Sequence, residues 1–244
     1  MKGLAGPNDE APVRPLTRAP IAVALDAPDL ATATGWAAAV APYVSTLKIG
    51  LELFCRYGPA AVEQTRGASD IALFLDLKLH DIPHTVAGAA RAVAGLRPDF
   101  LTVHAAGGVS MIAAAVAALP DCRVAGVTVL TSLSDADVAA IGCAGSSRDV
   151  VRRLAVLAVG AGARALVCSP QEVAAVRSEV GPDVVLITPG VRPAGADAAD
   201  QSRVATPQQA LADGADLLVI GRPITGAGDP GVAAAGLARS LRGM

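Results

Sequence analysis

The sequence predicts an α/β protein, a single-domain (β/α)8 TIM barrel, and three observations carry that expectation. The chain has 244 residues, close to the ~250 such a barrel uses and enough to bury one large core. Eight short aliphatic runs alternate with Ala-rich stretches of helical composition, the pattern of parallel strands joined by crossover helices. Polar residues then fall at or just past the C-terminal end of one run after another, where barrel strands converge on a single mouth. An open doubly wound sheet is the competing layout, but no G-x-G-x-x-G follows the first run and eight units favour closure.

Taken in order, the first strand is expected over residues 21–25 and opens onto Asp26, with a helix over 29–41. The second, 45–49, contains Lys48, and a helical window follows at 59–65. The third, 71–77, carries Asp76 and leads into Lys78, ahead of a helix over 85–96. The fourth, 100–103, ends at His104, and a helix is expected over 111–119. The fifth, 124–130, stops at Thr131 before a helix over 148–161, and the sixth, 165–168, precedes one over 170–177. The seventh, 184–187, opens onto Pro189 and Gly190, and the eighth, 217–220, onto Gly221 and Arg222. Charged residues at the ends of apolar strands are costly to bury unless paired or used. Their recurrence marks a functional mouth.

The rest of the composition narrows the function. The chain is 52% hydrophobic but 2% aromatic, so Ala, Val, Leu and Ile must build the core, as suits strands covered on both faces. A formal net charge of -2 gives no electrostatic case for a nucleic-acid or membrane-surface partner. Cys55, Cys122, Cys143 and Cys168 are scattered without a C-x-x-C pair. They read as reduced thiols of a cytoplasmic protein, with disulfides the lesser alternative. A mean hydropathy of +0.49 raises the question of a membrane span, and residues 100–120 lack Asp, Glu, Lys and Arg. His104, Gly107, Gly108 and Ser110 break that segment into strand, turn and helix. Residues 1–19 hold Asp9, Glu10, three prolines and no apolar run, and are expected to be a flexible extension before a barrel domain over 20–244.

The densest chemistry lies in Asp76-Leu77-Lys78-Leu79-His80-Asp81-Ile82-Pro83-His84-Thr85. Strand alternation sends the Asp76 and Lys78 side chains to the same face, into the mouth. A structural ion pair would account for these two alone; Lys48 and Asp81 alongside them make an array that points to function. Asp81 before Ile-Pro also suits a helix N-cap. Arg222 follows Gly221 in the region where barrels hold phosphate. Arg192 and Gln201 lie in a stretch rich in Pro, Gly, Ala and Asp, where solvated loop residues are the plain alternative. His104 reads as a structural or supporting group rather than a catalyst, and His80 and His84 need no role.

In this block the sequence resembles the orotidine 5'-phosphate decarboxylases, whose signature is D-x-K-x-x-D-I-P-x-T. The resemblance runs from about residue 21 to the C-terminus. It includes Val23-Ala24-Leu25-Asp26, Leu47-Lys48-Ile49-Gly50, Val127-Thr128-Val129-Leu130-Thr131-Ser132, Thr188-Pro189-Gly190-Val191-Arg192-Pro193 and Ile220-Gly221-Arg222-Pro223. His84 stands where family members often carry Asn. The resemblance implies a cytoplasmic lyase of UMP biosynthesis, converting orotidine 5'-monophosphate to uridine 5'-monophosphate without metal or cofactor. It implies that Lys78 protonates the carbon that loses CO2, that Asp76 lies against the substrate carboxylate, and that Lys48, Asp76, Lys78 and Asp81 form an alternating charge array. Asp26 and Lys48 would hold ribose hydroxyls, and Thr131 and Ser132 would meet the pyrimidine, with Pro189 also at the substrate. Arg192, Gln201, Gly221 and Arg222 would grip the phosphate under a lid over 190–203. Asp81 and Thr85 would reach the neighbouring subunit's site, making a homodimer with shared active sites.

The chemistry is physically coherent. Breaking the bond to CO2 leaves a carbanion with no adjacent carbonyl, and a fixed ammonium stabilises that charge and then supplies the proton. One charge pair at 4 Å interacts by about 4 kcal/mol at an effective dielectric of 20. The alternatives are a magnesium-dependent relative resembling the keto-gulonate phosphate decarboxylases, another phosphate-binding barrel such as an epimerase or isomerase, and a catalytically silent nucleotide-binding module. The magnesium-dependent relatives carry glutamate where this chain has Lys48, and a lysine there repels a divalent cation. The silent module would have lost the array, all four members of which are present.

Overall fold

Strands β1 (Ala19–Ala24), β2 (Val44–Gly50), β3 (Ala72–Leu79), β4 (Phe100–His104), β5 (Arg123–Val127), β6 (Ala165–Val167), β7 (Val185–Thr188) and β8 (Leu217–Ile220) follow one another around a closed barrel. Each pairs in parallel with the next, and β8 returns to β1 through Ile21 opposite Leu218 and Val23 opposite Ile220. The computed structural model describes residues 18–67, 69–192 and 205–242. The crossovers are α1 (Leu30–Val40), α2 (Leu51–Tyr57), α3 (Pro59–Arg66), α4 (Pro83–Val93), α5 (Gly108–Ala118), α6 (Asp135–Ala140), α7 (Ser147–Gly160), α8 (Val173–Val180) and α9 (Pro207–Ala212). The chain then ends in α10 (Arg222–Thr225) and α11 (Pro230–Arg242). No described helix is long and apolar enough to cross a membrane.

Local sequence sets where the helices start. Asp29 accepts from the Thr32 N–H at 2.7 Å to cap α1, and Ser134 with Asp137 and Ser146 with Asp149 form capping boxes on α6 and α7. These satisfy N–H groups that the first helical turn leaves unpaired. Pro59, Pro83 and Pro207 sit in first turns, where a missing N–H costs nothing. The expected cap at Asp81 is displaced by one residue. Ile82 holds the N-cap position of α4, and Asp81 accepts from the Ile82 N–H, at 2.6 Å.

All eight expected strands form, and three ends differ by two residues or more. β1 begins at Ala19, two residues before its expected start and within the extension expected over 1–19. β5 stops at Val127 rather than continuing to 130, and just past its end Thr128 turns both its N–H and its hydroxyl onto the Val167 carbonyl, at 3.2 and 2.9 Å. β3 runs on to Leu79, two residues past the expected end. The helices α2, α6, α9, α10 and α11 lie outside the expected windows, and α11, at 13 residues, is the long one among them. Of the short ones, α2 and α6 each have seven residues or fewer, too short to show a 3.6-residue period, and α2 follows β2 directly.

The core has two shells. Inside the barrel Ala22, Phe74, Phe100, Ala125, Ala165, Ile187 and Leu217 pack together. Outside it a larger aliphatic cluster fills the space between strands and helices. Two of the three phenylalanines sit in the inner shell, rings edge to face with centroids 5.8 Å apart, so two large residues fill what the alanines leave open. Cys122 and Cys168 are buried free thiols, and burial pushes both up to about 12.

At the opposite end from the mouth, two aspartates tie one strand to the entry of another. Asp99 accepts from the Leu73 N–H at 2.7 Å, and Asp216 accepts from the Leu186 N–H at 2.7 Å. Arg177 joins the second knot, donating to Asp216 and to the carbonyls of Gly181, Val184 and Gly214. Leu186 is fully buried, so removing its acceptor leaves an N–H without water or protein partner. Asp216→Ala should lower the urea midpoint by the equivalent of about 1–3 kcal/mol, and Asp216→Asn, which keeps an acceptor, should lose less.

Candidate active site

The period of two that builds the barrel interior also builds the mouth. The inward sequence Ala22, Ala24 continues to Asp26; Phe74 continues to Asp76; Phe100 continues to Thr102 and His104. Register places Lys48 opposite both Ala24 and Phe74, and Gly50 opposite Asp76. The polar residues thus stand one layer above the apolar core, on strands whose lower halves are fixed by packing.

Asp76 is the centre of this layer. Its Oδ1 accepts from Lys78 Nζ at 2.7 Å and from the Thr102 hydroxyl at 3.0 Å, and Lys48 Nζ lies 3.4 Å from its Oδ2. Lys48 reaches on to Asp26 Oδ1 at 3.7 Å, so two carboxylates and two ammonium groups alternate in one row. The Lys48 side chain is 7% exposed, Asp76 14%, Lys78 30% and Asp26 52%, an order running from the barrel floor to solvent. Burial works against ionisation of Asp76, but Lys48 and Lys78 and the hydrogen bonds to Lys78 and Thr102 outweigh it and hold the carboxyl below its ordinary value. Gly50 makes room for the row: a Cβ there would stand 2.8 Å from Asp26 Oδ1 and 3.0 Å from Lys48 Nζ.

Lys78 and Asp76 face the same way, as alternation suggested, but not by regular alternation. Lys78 has a φ of 48°, and the pairing of β3 with β4 shifts register between Leu75 and Leu79. The Lys78 N–H donates to the Thr102 hydroxyl at 2.8 Å. Left-handed backbone is uncommon for a residue with a Cβ and persists where its surroundings hold it. Thr102 supplies that hold, bridging the lysine's backbone and the aspartate's carboxylate. Sequence reasoning passed over Thr102 and Gly50; a hydroxyl inside Phe-Leu-Thr-Val-His was the available signal for the first.

These groups line one side of a cavity of about 550 Å³. Arg192, Arg222, Pro189, Gly190 and Gly221, from the ends of β7 and β8, line the other side, and Thr131 closes a third. The floor is apolar, with Phe74, Val127, Val167 and Val219. Arg192 is 9% exposed, and its N–H donates to the Ala205 carbonyl at 3.0 Å. The structure does not bring every candidate into this cavity. Ser132, Asp81 and Thr85 are exposed and off the lining. Gln201, and the expected lid beyond Arg192 as far as residue 203, lie outside the described residues. His104 borders the array from the end of β4; burial, followed by the neighbouring His80 and Lys78, holds it below its ordinary value against the pull of Asp76.

Residues 19–237 match the model of the Orotidine 5'-phosphate decarboxylase / HUMPS family. The chain is 74% identical over 224 residues to the orotidine 5'-phosphate decarboxylase of Thermobifida fusca (strain YX), covering 92% of this chain and 96% of that protein. It is 62% identical to that of Frankia casuarinae, over 93% of this chain and 89% of that one. Among solved structures, the orotidine 5'-phosphate decarboxylase of Lactobacillus acidophilus superposes with a TM-score of 0.79 at 34% identity, covering 91% of this chain and 98% of that chain. Barrel, charged row and kinship coincide: the chain belongs to the Orotidine 5'-phosphate decarboxylase / HUMPS family.

Proposed function

We propose that this enzyme removes CO2 from orotidine 5'-monophosphate to give uridine 5'-monophosphate, with Lys78 as the proton donor and with no metal or cofactor. The observation that carries the reading is Asp76 held between Lys48 and Lys78 above an apolar floor. A substrate carboxylate placed beside Asp76 meets a fixed negative charge, and that repulsion ends as CO2 departs. The carbanion left behind lies within reach of the Lys78 ammonium, which stabilises it in the transition state and then protonates it. Lys48 belongs to this chemistry as well. It keeps Asp76 ionised, and it occupies the space between Asp26 and Asp76 where a divalent cation would otherwise bridge two carboxylates.

The remaining residues divide by substrate group. Asp26 and Lys48 take the ribose hydroxyls, and Thr131, Ser132 and Pro189 take the pyrimidine side. Arg192, Gln201, Gly221 and Arg222 take the phosphate, at the β7 and β8 ends where barrels commonly hold it. Binding energy from that non-reacting phosphate can then be used to raise the rate of the chemical step. Asp81 and Thr85 are exposed and do not line their own cavity, and we assign them to the site of a second subunit in a homodimer. An Asp81 donated in this way extends the row of alternating charges.

Three outcomes follow. Purified protein in excess EDTA should bring about the absorbance fall that accompanies loss of the orotate carboxylate, and Lys78→Ala should slow it by roughly 10³-fold or more. An EDTA-sensitive reaction, or an active Lys78→Ala enzyme, would remove the proposed mechanism. Arg222→Ala should lower kcat/KM far more for the phosphorylated substrate than for the nucleoside orotidine; equal losses would take Arg222 out of the phosphate site. Mixing inactive Lys78→Ala and Asp81→Ala subunits should restore part of the activity, and verified mixed dimers without recovery would show that Asp81 does not act across an interface.

A further inference from the structure

Two histidines left without a task by this chemistry stand directly behind it. His80 follows Lys78 by two residues, His104 ends β4, and their ring centroids lie 5.3 Å apart with the planes tilted by 34°. His104 is half-buried and His80 exposed. His80 also rests against the turn after β4: a Cβ on Gly107 would stand 3.2 Å from His80 Cδ2, and 2.1 Å from Met111 Sδ. The bare Cα of Gly107 leaves room chiefly for the Met111 side chain, with the His80 ring at its edge.

The segment these rings clasp is the one that aims the lysine. Lys78 has left-handed backbone, and before it the β3–β4 ladder is regular only through Leu75 opposite Leu101. Its N–H is held by Thr102, two residues before His104 on the same strand. Beyond Lys78 the ladder resumes only at Leu79 opposite Val103, and the next contact between the two strand ends is the pair of rings. We propose that His80 and His104 are positioning residues, stacked imidazoles that clip the exit of β3 to β4 and keep Lys78 directed into the cavity. The inference rests on the proposed decarboxylation, in which Lys78 carries the proton.

The clip has a limit at low pH. The charged groups acting on His104 are His80 and Lys78, which with burial disfavour its imidazolium, and Asp76, which favours it. Residues 105–118, the turn and helix that follow it, contain no titratable side chain, and across the sheet His104 pairs with Val127. Asp81 and His84 follow His80 on its own segment, both exposed. His104 is thus neutral near neutral pH, and the folded protein resists its protonation as the pH falls below 6.5. An imidazolium at His104 would be repelled by the Lys78 ammonium and disfavoured by the neighbouring His80, opening the clip.

The test compares wild type with His80→Asn and His104→Asn, measuring kcat and KM for orotidine 5'-monophosphate across acid to neutral pH alongside thermal stability. At neutral pH each variant should lose about tenfold or more in kcat with KM held within about twofold, because the phosphate site lies across the mouth. The wild-type fall in kcat below pH 6.5 should flatten in His104→Asn, which leaves no imidazolium there against the Lys78 ammonium, and should begin at a higher pH in His80→Asn. A profile lowered by one factor at every pH together with a lower melting temperature, or unchanged kcat, would overturn the proposal. A second measurement needs no turnover: the NMR titration of His104 should move up toward 6.5 in His80→Asn, and an unmoved titration would overturn the coupling. If wild type fails to turn the substrate over, the decarboxylation reading fails, while the NMR titration still decides whether the rings act on one another.

Discussion

Asp76 must be ionised in a place where burial opposes ionisation, and much of the mouth is arranged around that requirement. Two ammonium groups and one hydroxyl converge on its two oxygens. A buried carboxylate with one of these partners missing is an expensive group, whereas a fully partnered one is tolerable and rigid. The same contacts fix the lysines. Lys48 is drawn between Asp26 and Asp76, and Lys78 is held at both ends, its amine by Asp76 and its N–H by Thr102. A row of four alternating charges is therefore preorganised before any substrate arrives, the condition under which electrostatic stabilisation of a transition state is most effective.

The rest of the barrel serves as a frame for that row. Its inner shell combines alanines with Ile187, Leu217 and two phenylalanines, so the upper ends of the strands are placed by packing rather than by flexible loops. Rigid strands suit groups whose separations must be held within tenths of an ångström. The far end is fixed independently, by aspartates that take a backbone N–H from a neighbouring strand. Stability is concentrated at one end of the barrel and chemistry at the other, which is the division the fold imposes.

The two halves of the mouth differ in kind. Strands β1 to β4 supply the charged row and the histidine pair, all from residues in or next to regular strand. The ends of β7 and β8 supply Arg192 and Arg222 from the segments that follow them. A reaction that breaks one bond at a rigid centre while holding a remote phosphate fits this asymmetry: the first half needs exact placement, and the second needs reach. The apolar floor between them lowers the local polarity and so raises the effect of each nearby charge.

Much of this was legible in the sequence. Eight apolar runs at even spacing, each followed by polar residues, specify both the barrel and which end carries the chemistry, because hydrophobic period and strand-end burial are local properties of the chain. The motif spacing likewise places Asp26, Lys48, Asp76, Lys78, Arg192 and Arg222 around one cavity, where the structure has them. Other features are not local. The left-handed turn at Lys78, the two-way role of Thr102, the room left by Gly50 and the meeting of His80 with His104 depend on distances between strands that no window of sequence contains. So does the absence of Asp81 from the cavity lining, where a local cap was expected and Ile82 holds that position instead. The sequence by itself determined which residues carry charge and in what order they reach the mouth; only the closed barrel decided which of them touch, because partners for a buried charge come from neighbouring strands and not from neighbouring residues.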